Sequence, residues 1–450
     1  MLPVRRTAIP GPNSLALADE LRRSENPQIT FLDPLRRFPV FWESASGCLV
    51  TDADGNTYLD LTAAFGVAGV GHSNPRVVEA IQKQAGTLIH GMGDVHPSGV
   101  KVRLAEKIAA RAPGDLGFVI FGLNGGDAVE AALKSARLFN GKPGVLAFRA
   151  GYHGLTMGAL AVTERADFRE PFSGQVPTFG RHVPYCEPRE CRLSCGSRCT
   201  AACLSFVEDA FRDHRDTLGA VIVEPLQGRG GIIEPPSGWM AGLRELCDRY
   251  EILLIADEIF TGWGRTGDWW ACDADAVVPD ILCMGKAMGG GFPISACAMR
   301  PGIAQAWGES TGEALHTSTF LGHPLACAAS LAAISEIERL DLPHRAKATG
   351  EYFKMRLFEL KDRFPEQIAE VRGRGLMLGL RFDKKETALG LVYDLLQRGL
   401  IVLPAGPGDI LEFVPPLIIE TGQIDFALNE IAASLNAGYP SGQGNKNVTG

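Results

Sequence analysis

Short apolar runs alternate with helical patterns through the middle of the chain. Apolar residues recur at helical spacing in residues 77–89 and 100–112. Beyond them lie six short apolar runs, at residues 118–122, 145–148, 220–224, 252–257, 280–285 and 294–299. Short buried strands separated by helices are typical of an α/β fold with a mostly parallel sheet covered on both faces. Because ligands bind at the carboxyl ends of the strands in such sheets, the residues after each run are the first candidates for chemistry.

The two ends of the chain have a different pattern. Residues 38–62 alternate between apolar and polar positions around a turn at residues 54–56, which indicates short antiparallel strands. After residue 330, helical segments precede two short apolar runs, which is an α+β pattern. The predicted organisation is an N-terminal segment that contributes to a small domain (1–75), a large domain (76–329) with a cysteine-rich insertion (183–206), a C-terminal small domain (330–437) and a disordered tail (438–450).

The composition narrows the class of protein. Glycine makes up 53 of the 450 residues, about 12% against a usual share of about 7%. Since no G-X-Y period accounts for the excess, we expect some glycines to allow close approach of the backbone to a ligand. The 44 basic and 52 acidic residues leave a net charge of −8, which disfavours a nucleic-acid surface. The apolar runs are too short to cross a membrane and the N-terminus lacks the apolar region of a secretory signal, so we expect a cytoplasmic protein.

The first two strand ends suit a planar, phosphorylated ligand. Gly125 and Gly126 follow the run at 118–122 and open a helix, where backbone N–H groups with no side chain in the way form a phosphate site. Tyr152 and His153 follow the next run, where an aromatic ring can stack on a planar ligand. Taken singly, a tight turn and ordinary core packing also explain these residues.

Carboxylates and a lysine follow three further runs. Glu224 and Asp257 each end a buried strand, where a carboxylate requires a partner, and Asp257 would pair well with a protonated heterocyclic nitrogen. Lys286 follows the next run and is the only lysine between residues 144 and 345. A partly desolvated lysine becomes an amine nucleophile that can form a Schiff base. Together with the phosphate site and the stacking aromatic, these groups fit one cofactor, pyridoxal 5'-phosphate.

The chain resembles the class III aminotransferases, which belong to the fold-type I pyridoxal-phosphate enzymes. The resemblance runs from about residue 35 to residue 435 and is most specific in ADEIFTGWGRTG (256–267) and PDILCMGKAMGGGFPISA (279–296). It also includes NGGDAVEAALK, YHG, EPLQG and HTSTFLGHPLACAAS. It implies an α/β fold with a mostly parallel seven-stranded sheet in a large domain, a smaller α+β domain, and a homodimer with shared active sites.

The resemblance assigns roles on the ring side of the cofactor. Lys286 would form the Schiff base, and Asp257 would pair with the pyridine nitrogen. Glu224 would support Asp257, and Tyr152 would stack on the ring, with His153 beside it in the same cofactor site.

The resemblance also assigns roles on the phosphate side. Gly125 and Gly126 would bind the phosphate through backbone N–H groups, and Thr319 would complete that site from the neighbouring subunit. Gln227 would contact the ring hydroxyl. The phosphate loop of the family commonly reads S-G-[ST]-E-A, whereas residues 124–128 read NGGDA, so a hydroxyl contact is lost.

The substrate residues depart from the family pattern. Glu412 stands where many members carry the arginine that binds the substrate carboxylate, Arg229 stands where they carry its acidic partner, and Leu155 replaces an arginine of the 4-aminobutyrate enzymes. We expect Arg229 and Glu412 to form the same ion pair with exchanged polarity, because burying Glu412 alone would be costly. Arg229 would then suit a glutamate donor, and Glu412 or Asp94 would orient a substrate ammonium group.

Five cysteines lie within 18 residues, at positions 186, 191, 195, 199 and 203. From Cys191 onward the spacing is four, which on a helix aligns the thiols along one face. Cys191, Cys195, Cys199 and Cys203 are therefore candidate ligands for zinc or an iron–sulfur cluster, although the usual C-x-x-C pairs are absent. Disulfide bonds and free thiols remain the alternatives.

The function predicted from these features is transamination. We expect a pyridoxal-phosphate-dependent aminotransferase that moves an amino group from an amine, amino-sugar or amino-acid donor to a keto or aldehyde acceptor through the Lys286 Schiff base. A racemase or epimerase with the same cofactor is the alternative, because the stretch around Glu412 also resembles that branch of the family. A non-catalytic binding protein of the same fold is disfavoured by the intact Lys286, Asp257 and Tyr152.

Overall fold

The computed structural model describes residues 1–187 and 199–438. The chain divides into two compact units, Pro75–His344 and Met1–Asn74 together with the chain from Arg345 onward. The second boundary thus lies after His344, whereas the sequence pattern placed it at residues 329/330. The reason is that the helix Pro324–Arg339 packs on the helices Pro75–Ala85 and Gly99–Ala109 of the same unit. Apart from Gly438, the predicted disordered tail lies outside the described residues.

The strands are short and mostly apolar. In chain order they are β1 (Trp42–Ser46), β2 (Leu49–Asp52), β3 (Thr57–Asp60), β4 (Phe118–Gly122), β5 (Gly144–Phe148), β6 (Gly180–Val183), β7 (Leu218–Val223), β8 (Leu253–Asp257), β9 (Ile281–Met284), β10 (Ser295–Met299), β11 (Ile368–Arg374), β12 (Met377–Phe382), β13 (Leu400–Ile401), β14 (Leu403–Ala405) and β15 (Ile410–Phe413).

The helices range from single turns to six turns. In chain order they are α1 (Pro12–Ser24), α2 (Ala63–Gly66), α3 (Pro75–Ala85), α4 (Gly99–Ala109), α5 (Gly125–Asn140), α6 (Met157–Val162), α7 (Ala166–Arg169), α8 (Cys199–Asp213), α9 (Trp239–Tyr250), α10 (Pro301–Gln305), α11 (Pro324–Arg339), α12 (Leu342–Arg363), α13 (Lys385–Gln397) and α14 (Thr421–Ala437). Over residues 1–187 and 199–438, none of them combines the length and the apolar character that crossing a membrane requires.

The unit 75–344 is built on a seven-stranded sheet of order β4-β10-β9-β8-β7-β5-β6. β10 pairs antiparallel with β4 and β9, and the pairs β9–β8, β8–β7, β7–β5 and β5–β6 are parallel. The predicted fold class is therefore confirmed. The central strands β7 and β8 are buried along their whole length, which explains why their sequences are continuous apolar runs. Small residues of α5 such as Ala128 and Ala132 pack directly on this sheet.

The other unit contains two four-stranded sheets. One has the order β1-β2-β3-β13, and β13 runs parallel to β3, so this sheet joins the N-terminal segment to the C-terminal part of the chain. The second sheet has the order β11-β12-β15-β14 and is antiparallel. Phe353 of α12 packs on Phe413 of β15 with ring centroids 5.3 Å apart. These elements form a smaller α+β unit.

Candidate active site

Five of the predicted site residues lie at one edge of the seven-stranded sheet. β5, β7, β8 and β9 are neighbouring parallel strands, so their carboxyl ends meet at the same edge. Tyr152 and His153 follow β5, Glu224 follows β7, Asp257 ends β8, and Lys286 follows β9. These residues are far apart in the sequence, and the order of the strands in the sheet brings them close together.

The N-terminus of α5 forms a cradle without side chains. Asn124 caps the helix by accepting a hydrogen bond from the N–H of Asp127 at 3.2 Å, and the Asp127 carboxylate accepts hydrogen bonds from the N–H groups of Leu123 and Asn124 at 2.8 and 3.3 Å. A Cβ atom on Gly126 would lie 3.0 Å from Thr156 Oγ1, and one on Gly125 would lie 3.1 Å from a methyl carbon of Ile259. Glycine therefore keeps open the space in front of the first helical N–H groups, where an anion binds.

Thr156 is a site residue that sequence reasoning missed. Its hydroxyl is buried against Gly126 and has no hydrogen-bond partner among the residues that the structure describes. The loop is held close to α5 by Gly154, whose φ is +119° and whose Cβ position lies 3.1 Å from the Cα of Gly126. Thr156 thus brings a hydroxyl to the glycine cradle, where the NGGDA sequence lacks one. Its place two residues after Gly154 is the signal that could have identified it.

Asp257 and His153 form a buried pair. The Asp257 Oδ2 atom lies 2.7 Å from His153 Nδ1, and Asp257 Oδ1 accepts a hydrogen bond from the N–H of Ile259 at 3.1 Å. Burial lowers the pKa of His153, but the hydrogen bond and negative charge of Asp257, together with the charge of Glu224, outweigh burial and raise that pKa. The pair therefore stabilises a protonated His153 and fixes the orientation of the Asp257 carboxyl group.

Glu224 shapes the loops around the pair. Its two oxygens accept hydrogen bonds from the N–H groups of Tyr152 at 2.9 Å and Gly228 at 3.1 Å. Burial raises the pKa of Glu224, and the positive charge of His153 opposes that effect. Gln227 donates from Nε2 to the carbonyl of Arg149 at 2.9 Å, while its buried Oε1 has no partner among the described residues. The Gln227 carbonyl is an acceptor that a bound molecule can satisfy.

Lys286 has an unusual backbone conformation. It begins the 3₁₀ turn Lys286–Gly289 with a φ of +45°, in the left-handed region that non-glycine residues rarely adopt. Such strain persists only where the surrounding structure enforces it, and it concentrates at functional sites. The Nζ atom lies 4.3 Å from the centroid of the Phe260 ring, a cation–π contact that orients the side chain. The sequence did not reveal the contact with Phe260.

Arg229 lies on the aromatic side of the site. Its Cζ atom is 4.9 Å from the Tyr152 ring centroid and 5.7 Å from that of Phe168, and its side chain is exposed. Glu412 is buried on β15 in the other unit, opposite Gly379 of β12. The predicted pairing of Arg229 with Glu412 stays a prediction.

Thr319 and Asp94 lie in exposed loops of the unit 75–344. The Thr317 hydroxyl donates to Asp94 Oδ2 at 2.6 Å, and this hydrogen bond is the main cause of the lowered pKa of Asp94. The same loops are joined by a ring contact between His90 and Phe320, with centroids 5.2 Å apart. Asp94 therefore helps to position the loop that carries Thr319, and its contact with substrate stays a prediction.

The described part of the cysteine-rich insertion brings together two of the four predicted thiols and one further thiol. Cys186, Cys199 and Cys203 form a buried cluster, whereas Cys191 and Cys195 lie outside the described residues. Cys199 and Cys203 lie one turn apart on α8, as the spacing of four predicted. Cys186, the third residue after β6, joins them from the segment that precedes α8.

Known proteins resemble this chain over most of its length. The family described as aminotransferase class-III matches residues 33–435. The acetylornithine aminotransferase of Methanopyrus kandleri is 41% identical over 401 residues, which are 89% of this chain and 95% of that protein. The putrescine aminotransferase of Pectobacterium atrosepticum is 35% identical over 410 residues, 89% of this chain and 84% of that protein. The crystal structure of an amine transaminase from an uncultivated Pseudomonas species, in a PLP-bound form, matches with a TM-score of 0.84 and 30% identity, covering 92% of this chain and 98% of that one.

Proposed function

The chain belongs to the class III aminotransferases, and we propose that it moves the amino group of a terminal alkyl amine to a dicarboxylic 2-oxo acid. It is a pyridoxal-phosphate-dependent aminotransferase. The names of the two relatives support the donor class, because acetylornithine and putrescine each carry a primary amine at the end of an alkyl chain. The observation that carries the proposed site is the buried Asp257–His153 pair at the same sheet edge as Lys286.

The groups at this edge fit pyridoxal phosphate. The open N-terminus of α5 and the unpartnered Thr156 hydroxyl suit its phosphate, and the unpartnered Gln227 Oε1 suits a hydroxyl donor. Asp257, oriented by His153, would keep a proton on the ring nitrogen, and Tyr152 would pack on the ring. When bound, the cofactor supplies an aldehyde that takes the amino group and a ring that draws electrons from the substrate carbon.

Lys286 would anchor the cofactor and then move the proton. Once the incoming amine has displaced it, its Nζ would accept the proton from the substrate carbon and deliver it to the cofactor carbon that takes the amino group. The strained backbone of Lys286 and the Phe260 ring below Nζ restrict the side chain to few orientations. Glu224 would hold Tyr152 in place through its backbone N–H, so Glu224 is a positioning residue.

Arg229 would bind the side-chain carboxylate of the oxo acid. Its guanidinium packs on Tyr152 and Phe168 while the side chain remains exposed, so donors are available for a bidentate carboxylate contact. Because the amine donor lacks that carboxylate, we expect Arg229 to act in only one of the two half-reactions.

A pre-steady-state experiment tests the proposed reaction. Holoenzyme mixed with putrescine alone is expected to release about one equivalent of carbonyl product per active site and stop, and 2-oxoglutarate is expected to restart it. The Arg229→Gln variant is expected to keep the first burst and to raise the KM for 2-oxoglutarate at least ~10-fold, since one charge-assisted contact contributes about 1.5–3 kcal/mol.

The control is Arg229→Lys, which keeps the charge and loses the planar fork. Its KM for 2-oxoglutarate should lie between that of Arg229→Gln and that of the unmodified enzyme. Deuterium uptake from solvent into recovered chiral amines without carbonyl product would contradict transamination and indicate epimerisation. An unchanged KM for 2-oxoglutarate in Arg229→Gln would exclude Arg229 from the substrate site.

We further propose that the protein works as a homodimer with shared sites. Large apolar side chains are exposed on the loops that carry Asp94 and Thr319, which is a pattern typical of protein interfaces. These side chains are Leu88, Ile89, Met92, Val95, Leu315 and Phe320. Because Thr319 is exposed in this patch, a second copy docked there would receive its hydroxyl at the phosphate cradle.

Hybrid dimers test the shared site. A dimer of Lys286→Ala and Thr319→Val subunits would contain one doubly defective site and one site with Lys286 and Thr319 intact, because each residue comes from a different subunit. We therefore expect the hybrid to recover about half of the unmodified activity with an unmodified cofactor Kd at that site. The two parental homodimers, purified in parallel, are the controls. A hybrid in which every active site has the Thr319→Val cofactor affinity would place Thr319 in its own subunit's site.

We also propose that the protein works in the cytoplasm. None of the nine cysteines in the described part of the chain forms a disulfide bond, and all nine are buried. This number of cysteines without disulfide bonds suits a reducing compartment.

A further inference from the structure

We propose that Cys186, Cys199 and Cys203 bind one zinc ion, in a site separate from the residues assigned to the cofactor. Cys186 follows β6, and the other two lie on the first turn of α8 and one turn beyond. The three sulfur atoms lie within 4.8 Å of one another and are buried. Among residues 1–187 and 199–438, this is the one group of three or more potential metal ligands from cysteine, histidine and carboxylates that converges so closely.

The sulfur spacing suits a single tetrahedral ion. Cys186 Sγ lies 3.9 Å from Cys199 Sγ, which lies 3.8 Å from Cys203 Sγ. Zinc–sulfur bonds of about 2.3 Å at tetrahedral angles separate the ligand sulfurs by about 3.8 Å. A disulfide would require about 2.05 Å. A multi-iron cluster spreads its cysteine sulfurs further apart, because they bind different irons with sulfide between them.

The chemistry of the cluster also favours an ion. Zinc would replace the three thiol protons, which pass to solvent, and the three thiolates would satisfy its preference for soft ligands without any change of oxidation state. Three thiolates leave one tetrahedral position for a further donor.

The position of the cluster gives the ion a structural role. Cys186 lies shortly after β6 and Cys199 begins α8, so an ion between them would link these two segments. Tyr185, next to Cys186, donates its hydroxyl to the carbonyls of Glu224 at 3.0 Å and Pro225 at 3.2 Å. The ion would therefore fix the segment that supports the backbone of Glu224.

Metal analysis tests the proposal on the full-length holoenzyme. Protein purified without oxygen is expected to carry about one zinc per chain, with an X-ray absorption spectrum showing at least three sulfur neighbours at about 2.3 Å. Cys199→Ser is expected to lose at least ~10-fold in zinc affinity, measured by competition with a chromophoric chelator. Cys186→Ser should behave in the same way.

The matched control is Cys247→Ser, which changes a buried cysteine on α9 away from the cluster. It should keep its zinc, even if its Tm falls. Protein that contains no metal, an equivalent of iron in place of zinc, or a disulfide among these thiols would each overturn the proposal. Equal zinc affinity in Cys199→Ser, Cys186→Ser and the unmodified protein would also overturn the proposal.

Discussion

The Lys286→Ala variant is expected to lose at least ~10⁴-fold in kcat while keeping its fold. A positioned acid–base group contributes about 10²–10⁴-fold, and Lys286 would also anchor the cofactor, so both effects disappear together. Alanine keeps a Cβ atom, so the strained backbone at φ +45° is not relieved by the substitution. Single-turnover assays and the visible absorbance of the bound cofactor would measure the loss.

Two controls separate chemistry from structure in this variant. Lys142→Ala removes a partly exposed lysine whose Nζ donates to the carbonyl of Arg215, and it should leave kcat unchanged. Added methylamine should restore part of the activity of Lys286→Ala, because a small amine can occupy the vacated space and transfer the proton. A Lys286→Ala enzyme with near-normal turnover would remove Lys286 from the mechanism.

The sheet was predictable because its central strands are buried on both faces. The runs at 145–148 and 252–257 coincide closely with β5 and β8, where only apolar residues are tolerated. β6 was not predicted from the pattern. It is an edge strand with the sequence GRHV, and because two of its side chains are polar it does not form an apolar run. The boundary lies after His344 and not near residue 330, because α11 packs on α3 and α4. This packing cannot be recognised from the local composition.

The candidate site was predictable where residue type and strand end coincide. Asp257 and Lys286 follow buried strands directly, so topology alone brings them to one edge. Thr156 and Phe260 were not predicted, because their positions depend on the conformation of a loop and the hydrophobic pattern of the sequence does not specify it. The same holds for Cys186, whose Sγ atom lies 3.9 Å from that of Cys199 at the start of α8.

The Asp257→Asn variant is expected to lower kcat by roughly 10²–10³-fold, since removing one preorganised electrostatic group raises the activation barrier by about 3–4 kcal/mol. Asparagine keeps the shape of the side chain and its hydrogen bond from the Ile259 N–H, but not the negative charge that would face the ring nitrogen. The matched control is Glu258→Gln, because Glu258 is equally buried yet bonds to Thr261 and to the N–H of Cys272. That control should lose stability without a selective loss in kcat; an equal loss of kcat in both variants would contradict the role of Asp257.

The same substitution should change how the stability of the cofactor-free protein depends on pH. Asp257 and Glu224 raise the pKa of His153 above its value in the unfolded chain, so the folded state binds this proton more tightly. The resulting stabilisation is complete below the unfolded pKa of about 6.5 and disappears as the pH rises through the raised folded pKa. In Asp257→Asn, only the charge of Glu224 opposes the lowering of the His153 pKa by burial. The pKa of His153 therefore falls, and protonation of His153 favours unfolding. The Tm difference between the unmodified protein and the variant should therefore be largest near pH 6 and shrink toward pH 9. A difference that stays constant over this range would show that Asp257 does not control the charge of His153, and a difference that grows with pH would reverse the proposed coupling.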